Sequence, residues 1–316
     1  MSTIRFEKVV KEFAGMVRPA LNGIDLTVDS GQFIVLLGPS GCGKTTLLKM
    51  VNRLHEPTSG DILIDDQSIY NGMDVIHLRR KIGYVIQQTG LFPHMTVEEN
   101  ISIVPNLMKW PEEKTKSRVD ELLDMVALPP NEFRERYPAQ MSGGQQQRVG
   151  VARALAGDPD LILMDEPFGA IDAITRTDLQ DSLLKLQRQL RKTILFVTHD
   201  VDEALRLADK IAILREGQLV QYGTPLQILT QPNDDFVSEL VGADDIVRQL
   251  GQIRVETIME PLLDGGPIKQ TIYQDESLRV ALSDLVKSKQ DFLTVVDSGK
   301  QPLGTITYDN IRNSVG

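Results

Sequence analysis

Three short stretches of the chain are apolar at every position: Phe33–Leu37, Leu161–Met164 and Ile194–Val197. Strands that are apolar on both faces are typical of a parallel sheet covered by helices on both sides. Amphipathic helical stretches alternate with these runs up to about residue 240. This alternation predicts an α/β fold with a parallel-sheet core.

Two further patterns in this part of the chain also predict strands. Residues 61–69 alternate between apolar and polar side chains, which indicates a half-exposed strand of an N-terminal sheet. Residues 211–215 and 219–222 flank Glu216-Gly217, a dipeptide suited to a tight turn, and together they predict a hairpin. We expect the first of these strands to belong to an N-terminal antiparallel β subdomain beside the parallel-sheet core.

Residues 96–137 have the periodicity of helices rather than strands. Thr96 and Glu99 have capping-box spacing, and Pro111 suits a first helical position. Further along, one face of the predicted helix is apolar: Val119, Leu122, Leu123 and Val126. These signals predict a helical subdomain inserted into the α/β body.

Residues 242–245 begin a predicted domain boundary. We expect a first domain at residues 1–240, a linker at 241–252 and a second domain at 253–316. The second domain has one helical stripe (Leu278, Ala281, Leu282, Leu285 and Val286) and two predicted strands, Phe292–Val296 and Leu303–Thr307. A β-α-β-β unit this small buries little core alone, so we expect it to pair with a second copy.

Composition narrows the class of protein. Of the 316 residues 41% are apolar, and 34 basic against 44 acidic residues give a net charge of −10, which argues against sequence-independent nucleic-acid binding. The longest apolar run is far shorter than the ~20 residues that span a bilayer, and no secretory leader is evident. A single cysteine excludes an internal disulfide framework. We expect a cytoplasmic protein with any membrane role acting through a partner.

The strongest chemical signal follows the apolar run Phe33–Leu37. Residues 38–45 have the spacing G-x-x-x-x-G-K-T between a buried strand and a helix, which is the context of a phosphate-binding loop. Its backbone N–H groups and the helix dipole favour phosphate oxygens, Lys44 suits the β- and γ-phosphates, and the Thr45 hydroxyl suits Mg²⁺. The candidate phosphate-binding residues are Gly38, Pro39, Ser40, Gly41, Cys42, Gly43, Lys44, Thr45 and Thr46.

Polar side chains also follow other predicted strands, and ligands of open α/β sheets collect at these ends. Asp165 and Glu166 end one apolar run; we expect Asp165 to hold Mg²⁺ and Glu166 to act as general base. His199 follows another run, where it could contact the γ-phosphate or the attacking water. Gln87 suits contact with Mg²⁺ or water, although a surface glutamine is an equal interpretation.

Residues 141–148, MSGGQQQR, resemble the signature motif of ATP-binding-cassette (ABC) ATPases. The phosphate-binding loop, Gln87, this signature, Asp165-Glu166, the D-loop at 168–172 and His199 occur in that family's order over about residues 1–240. Met141 and Ile171 replace the family's usual leucines and keep apolar character. The resemblance implies a P-loop ABC ATPase that binds ATP and Mg²⁺.

The family resemblance also implies a homodimer with two ATP molecules between its cassettes. In that arrangement the contacts to the opposite subunit's ATP come from Ser142, Gly143, Gly144, Gln145 and Asp172. Thr45, Gln87 and Asp165 would surround Mg²⁺. Phe13 lies where the family places an aromatic ring that stacks on adenine, although a core aromatic is the alternative.

Residues 87–97 resemble the Gln loop of importer cassettes for quaternary-amine osmoprotectants such as glycine betaine, carnitine and choline. The resemblance implies a peripheral subunit at the cytoplasmic face of the membrane. Its partners would be integral-membrane permease subunits and an extracytoplasmic substrate-binding protein or domain. Leu91, Phe92 and Met95 could anchor the permease, or could pack within the cassette. Import of another small solute, such as an amino acid, is the alternative function.

The C-terminal segment resembles a single cystathionine-β-synthase (CBS) repeat, at residues 255–259 and 302–309. In CBS domains a hydroxyl and an Asp two residues later often bind an adenine nucleotide, and Thr307 and Asp309 match. The repeat could bind a regulatory nucleotide such as cyclic di-AMP, sense ionic strength, or only dimerise. CBS repeats work in pairs, so either the dimer supplies the second repeat or the chain is truncated.

Overall fold

The computed structural model describes residues 2–87, 90–169, 171–261 and 270–314. The chain divides into two compact units, Met1–Tyr222 and Gly223–Gly316. In the described part of the chain, no helix combines the length and apolar character needed to cross a membrane.

The first unit alternates strands and helices as predicted. Its strands are β1 (Ile4–Lys11), β2 (Leu21–Val28), β3 (Phe33–Leu37), β4 (Ser59–Ile64), β5 (Gln67–Ser68), β6 (Ile82–Val85), β7 (Leu161–Asp165), β8 (Thr193–Val197), β9 (Lys210–Arg215) and β10 (Gln218–Gly223). Its helices are α1 (Lys44–Val51), α2 (Val75–Lys81), α3 (Val97–Leu107), α4 (Glu112–Met125), α5 (Pro130–Phe133), α6 (Gly143–Leu155), α7 (Ala173–Leu190) and α8 (Val201–Leu207), with a 3₁₀ turn at Pro138–Gln140.

A six-stranded, mainly parallel sheet forms the centre of this unit, with strand order β10-β9-β3-β8-β7-β6 and the hairpin strand β10 at its edge. β3 pairs in parallel with β8 and β9, and β7 pairs in parallel with β8 and β6. Every residue of β3, β7 and β8 is buried. The prediction of three doubly covered strands is therefore confirmed, and all three are neighbours in the sheet.

The antiparallel sheet has the order β2-β1-β4-β5 and lies in the same unit. The strand predicted at 61–69 is wrong in its extent, because β4 ends at Ile64 and the left-handed residues Asp65 (φ 52°) and Asp66 (φ 61°) turn the chain into β5. The hairpin prediction is confirmed: β9 and β10 are joined by Glu216 (φ 50°) and Gly217 (φ 77°).

The helical insertion is also confirmed. Thr96 caps α3, accepting from Glu99 N while the Glu99 side chain accepts from Thr96 N, so both halves of the predicted capping box are present. Pro111 stands one position earlier than predicted, at the N-cap of α4. The apolar face of α4 is buried through Val119, Leu122 and Leu123.

The second unit contains helices on a small mixed sheet. Its helices are α9 (Pro225–Thr230), α10 (Asp235–Val241), α11 (Ile246–Gln252), α12 (Val255–Ile258), α13 (Leu278–Ser288) and α14 (Tyr308–Asn313). Its strands are β11 (Glu260–Pro261), β12 (Thr271–Tyr273), β13 (Phe292–Val296) and β14 (Pro302–Thr307), in the order β11-β14-β13-β12. The predicted β-α-β-β unit is present as β12-α13-β13-β14.

The division between the units differs from the expected domain boundaries. It falls after Tyr222 rather than near residue 240. Most of the expected linker is helix α11, which Asp245 caps through the N–H groups of Val247 and Arg248. Leu250 of this helix is 2% exposed and belongs to the same core as Leu285. Residues 246–252 are therefore part of the second unit's core and not a connecting segment.

Candidate functional site

The candidate residues of the first unit collect at one edge of the parallel sheet. β3, β8, β7 and β6 are successive neighbours in that order. The loop 38–43 follows β3 and His199 follows β8. Asp165 ends β7 and Glu166 follows it, while Gln87 follows β6. The carboxyl ends of four adjacent parallel strands thus carry the site, as expected for an open α/β sheet.

The loop between β3 and α1 requires glycine at two positions. Gly38 has φ 149°, and a Cβ there would lie 2.2 Å from the carbonyl oxygen of Leu214. Gly43 has φ 109°, and a Cβ there would lie 2.6 Å from the carbonyl oxygen of Ala20. The loop therefore approaches neighbouring backbone too closely for any side chain, and it delivers the chain directly into α1 at Lys44.

Lys44 is buried inside this loop, with 5% of its surface exposed. Its Nζ donates to the carbonyl oxygens of Gly38 at 2.7 Å and Pro39 at 2.9 Å. Nζ also lies 3.8 Å from Sγ of Cys42, which is itself buried. The loop's own carbonyl groups therefore hold the ammonium group at the start of α1, where the helix dipole also favours an anion.

Thr45 and Asp165 contact each other although they are distant in the sequence. Thr45 Oγ1 donates to Asp165 Oδ1 at 2.8 Å, and Asp165 is 2% exposed. Burial raises the pKa of Asp165, while the hydrogen bond from Thr45 and the charge of Lys49 oppose this rise. A buried carboxylate beside a hydroxyl at the end of a phosphate-binding loop is the donor chemistry that Mg²⁺ prefers, so these residues fit that metal.

The Glu166 carboxylate lies between two other candidate residues. Gln87 Nε2 donates to Glu166 Oε2 at 3.1 Å, and His199 Nδ1 lies 3.1 Å from Glu166 Oε1. The backbone of Glu166 is left-handed (φ 47°), and its N–H donates to the carbonyl oxygen of Val197 at 3.0 Å. The structure therefore brings together the three side chains that follow β6, β7 and β8.

The signature residues form the start of α6. Ser142 Oγ accepts from Gln145 N at 3.3 Å, and Gln145 Oε1 accepts from Ser142 N at 3.0 Å, so Ser142 and Gln145 form a reciprocal cap. Ser142 and Gly143 are exposed, and a Cβ on Gly143 would meet no heavy atom within 4 Å. Gly144 follows in the first turn. This helix N-terminus is open to a ligand.

Asp172 caps α7 in the same way, accepting from Thr175 N at 3.0 Å. That backbone hydrogen bond lowers the pKa of Asp172, which is exposed. Ala170 of the D-loop lies outside the described residues, as do Gln88 and Thr89 of the Gln loop.

Phe13 is half-buried and does not belong to the buried core. Its ring meets His55 edge to face, with centroids 5.5 Å apart, and Lys11 Nζ lies 5.0 Å from the ring centroid. An aromatic ring held at its edge and left partly open is suited to stacking.

In the second unit, Thr307 and Asp309 lie at one helix start. Thr307 caps α14, where its hydroxyl accepts from Asn310 N at 3.2 Å and donates to Asn310 Oδ1 at 2.7 Å. Asp309 is exposed in the first turn of the same helix. The hydroxyl of Thr307 is thus engaged locally.

Two residues near the site had no part in the sequence prediction. Asn100 is fully buried, and its side chain bonds the backbone N–H and carbonyl of Phe92 and the carbonyl of Met95, which orders the loop before α3. Glu203 accepts from Thr198 Oγ1 at 2.7 Å beside His199. Glu203 lies three residues after Asp200, the N-cap of α8, and this spacing predicts the start of a helix but not a functional site.

Comparison with known proteins places the chain among transport proteins. Residues 21–169 match the ABC transporter family. The chain is 53% identical over 295 residues to the glycine betaine/carnitine/choline transport ATP-binding protein OpuCA of Bacillus subtilis, covering 93% of this chain and 75% of that protein. It is 45% identical to the osmoprotectant import ATP-binding protein OsmV of Salmonella typhimurium, covering 99% of this chain and 81% of that protein.

A further relative and a solved structure agree with these matches. The glycine betaine uptake system ATP-binding protein YehX of Escherichia coli is 45% identical, and 98% of each chain is covered. A dimeric ATP-binding cassette in a post-hydrolysis state, bound to ADP and Pi, superposes with a TM-score of 0.64 and 34% identity. That superposition covers 70% of this chain and 98% of the other.

Proposed function

This chain belongs to the ABC transporter ATPase family, and from that premise we propose that it is the ATP-hydrolysing subunit of an importer for quaternary-amine osmoprotectants. Members of the family couple ATP hydrolysis to transport, and this chain has the P-loop ABC ATPase fold. The substrate class rests on the names of relatives at 45% to 53% identity, which are glycine betaine, carnitine, choline and osmoprotectant transport proteins. These names favour quaternary amines over an amino acid.

The observation that carries the enzymatic part is the position of Glu166 between Gln87 and His199. Glu166 acts as the general base that accepts a proton from the attacking water. His199, at 3.1 Å from its carboxylate, orients that water or the terminal phosphate. Gln87, at 3.1 Å on the other side, orients the same carboxylate and contacts Mg²⁺ or water.

ATP binding belongs to the loop at residues 38–46. The backbone N–H groups of the loop surround the phosphates, and Lys44 exchanges its bonds to the loop carbonyl groups for bonds to the phosphates. Phe13 stacks on the adenine ring. Thr45 and Asp165, with Gln87, hold Mg²⁺, which supplies charge neutralisation for the phosphates when bound.

A second copy of the chain completes each site. The exposed N-terminus of α6 presents Ser142, Gly143, Gly144 and Gln145 to the ATP bound by the opposite subunit. Asp172, exposed at the start of α7, contacts the same nucleotide from across the dimer. A related cassette is known as a dimer bound to ADP and Pi, which supports this assembly.

The membrane partner binds beside the Gln loop. Phe92 is 44% exposed, and Asn100 orders the loop that carries it. A groove of about 350 Å³ lined by Tyr84, Phe92 and Ile103, among others, is open at this position. We place a cytoplasmic helix of the permease there, so the subunit works at the cytoplasmic face of the membrane. An extracytoplasmic binding protein delivers the substrate to that permease.

Residues 253–316 of the second unit are proposed as a single CBS repeat that pairs with its counterpart in the dimer. Its β-α-β-β order and the position of Thr307 and Asp309 at the start of α14 support this proposal. An adenine nucleotide such as cyclic di-AMP is its candidate ligand; a purely dimerising role is the alternative. Calorimetry of the full chain with cyclic di-AMP separates the two, since only the first predicts saturable heat that Asp309→Asn weakens.

Reconstitution with the permease and binding protein in vesicles tests the main proposal. Uptake of labelled glycine betaine, carnitine or choline should require ATP. Glu166→Gln should bind ATP, form an ATP-dependent dimer and lose turnover and uptake, whereas Glu113→Gln, an exposed residue of α4, should retain both. Near-normal hydrolysis by Glu166→Gln would remove Glu166 from its role as base. Failure to import any of the three amines would overturn the substrate class.

A further inference from the structure

Arg176 contacts two segments of the site that the sequence places far apart. It lies in the first turns of α7, and its Nη2 donates to the carbonyl oxygen of Ile171 in the D-loop at 3.1 Å. Its Nη1 lies 3.8 Å from Asp200 Oδ2 and 3.9 Å from Glu203 Oε1. One guanidinium group therefore joins the residue before Asp172 to the acids that follow His199.

Those acids fix the backbone on both sides of His199. Glu203 is 7% exposed and accepts from Thr198 Oγ1 at 2.7 Å. The same hydroxyl accepts from Asp200 N at 3.0 Å, and Asp200 Oδ1 caps α8 through the N–H of Asp202 at 2.9 Å. Residues 198 and 200 are thereby held by a hydrogen-bonded network that ends on Arg176.

The guanidinium also supplies part of the positive charge that compensates Glu203. Burial and the charge of Asp200 raise the pKa of Glu203, while the hydrogen bond from Thr198 and the charges of Arg176 and His199 oppose the rise. Without Arg176, the buried carboxylate of Glu203 would lie near the negative charge of Asp200 with less positive charge to compensate it.

The geometry is poor for an ion pair that serves stability alone. Both distances to the acids exceed the ~2.7–2.9 Å of a strong charge-assisted bond. In the described part of the chain, Nε of Arg176 is also buried without a hydrogen-bond partner.

We infer that Arg176 is a positioning residue that couples the D-loop to His199. The inference rests on the proposed function, in which His199 acts on the terminal phosphate or water and Asp172 contacts the partner's nucleotide. Any displacement of the D-loop when two copies close moves the Ile171 carbonyl, and Arg176 carries that displacement to the acids flanking His199. Hydrolysis in one site then depends on the D-loop being seated against the other copy.

The experiment compares Arg176→Met with Arg206→Met in the full chain. Arg176→Met keeps the alkyl chain and should lower kcat about tenfold, with ATP affinity unchanged within about twofold, because Lys44, Thr45 and Phe13 are untouched. Arg206 forms an exposed ion pair with Asp181 at 2.8 Å, so its loss should change neither quantity. Arg176→Lys keeps the charge and should recover part of kcat.

A double-mutant cycle with His199→Ala shows whether Arg176 acts through His199. In that background Arg176→Met should lower the residual kcat by at most about twofold, since the positioned group is gone. The inference would be overturned if the double variant lost kcat by the product of the two single-variant losses. It would also be overturned if Arg176→Met had the same kcat as Arg206→Met. If thermal denaturation shows that Arg176→Met is not folded at the assay temperature, Glu203→Gln is used in its place. It should lower kcat and leave ATP affinity unchanged.

The controls keep this result separate from the proposed function. If Glu166→Gln abolishes turnover while Arg176→Met behaves as wild type, only the inference fails. If Glu166→Gln hydrolyses ATP normally, the proposed catalytic roles fail whatever Arg176 does.

Discussion

Substitution of Ser142 separates the stability of α6 from its proposed contact with ATP. The Ser142 hydroxyl accepts from Gln145 N, and this bond caps a helix whose N-terminus is exposed. Alanine removes this bond but leaves the reciprocal one, from Ser142 N to the Gln145 side chain, in place. Aspartate keeps both, because a carboxylate oxygen caps a helix as well as a hydroxyl does.

The two variants should therefore differ in stability. Loss of an N-cap costs about 1 kcal/mol, which lowers the unfolding midpoint by roughly 2–4 °C for a unit of this size. The negative charge of Ser142→Asp interacts favourably with the helix dipole, by ~0.3–1 kcal/mol. Without nucleotide, Ser142→Ala should melt below the wild type and Ser142→Asp at or above it.

In ATP-dependent dimerisation and turnover, the two variants should rank in the opposite order. If α6 faces the opposite subunit's triphosphate, the new carboxylate meets a phosphate charge, and two like charges ~4 Å apart repel by ~4 kcal/mol at an effective dielectric constant of 20. That energy corresponds to about a thousandfold in an equilibrium constant. Ser142→Asp should therefore lose ATP-dependent dimerisation and turnover, and Ser142→Ala should lose less.

Thermal denaturation by circular dichroism, light scattering with ATP and Mg²⁺, and phosphate release measure the three quantities. Thr224→Asp is the matched control, because Thr224 caps α9 with the same capping box, accepting from Gln227 N at 3.3 Å. It should keep stability and turnover. If Ser142→Asp is as active as the wild type, the start of α6 is not an anion site and the dimer proposed here is wrong.

Three other substitutions or modifications give measurable outcomes. Asp165→Asn should stabilise the nucleotide-free chain by about 1 kcal/mol, because burial of the wild-type carboxylate raises the pKa of Asp165. The resulting increase in melting midpoint should shrink as pH falls through this raised pKa towards 3.8, because the wild-type side chain is then neutral as well. A gain equal to that of the exposed Asp178→Asn would contradict this. Leu285→Ala, fully buried in the second unit, should cost about 2–5 kcal/mol and sensitise that unit to proteolysis without changing ATP turnover; unchanged proteolysis would remove Leu285 from the core. N-ethylmaleimide should inactivate the chain slowly, because Cys42 is 4% exposed and lies beside Lys44, and Cys42→Ser should resist; full activity of the alkylated protein would show that the thiol lies clear of the phosphates.

The strands and helix starts of the site were predictable from local sequence. Phe33–Leu37 is apolar on both faces, and only a doubly covered strand buries both faces of such a short run. Ser142 and Thr96 precede a Gln and a Glu at the third helical position, so each helix start is encoded within four residues.

The contacts between motifs were not predictable in the same way. Gln87 and Glu166 are 79 residues apart, and His199 is 33 residues from Glu166. Their meeting depends on β6, β7 and β8 being neighbours, and hydrophobic periodicity does not encode strand order. For the same reason Arg176 carried no signal, because its partners come from tertiary packing. Residues 246–252, expected within the linker, form a capped helix, and the packing of Leu250 into the core that contains Leu285 is likewise a tertiary contact.

The order of the strands also sets the width of the site. Neighbouring strands lie about 4.8 Å apart, so the edge from β3 to β6 is about 14 Å wide. The loop after β3 and Gln87 after β6 stand at the two ends of this edge, and Glu166 and His199 stand between them. A change in the order of any two of these strands would therefore separate groups that no local sequence signal holds together.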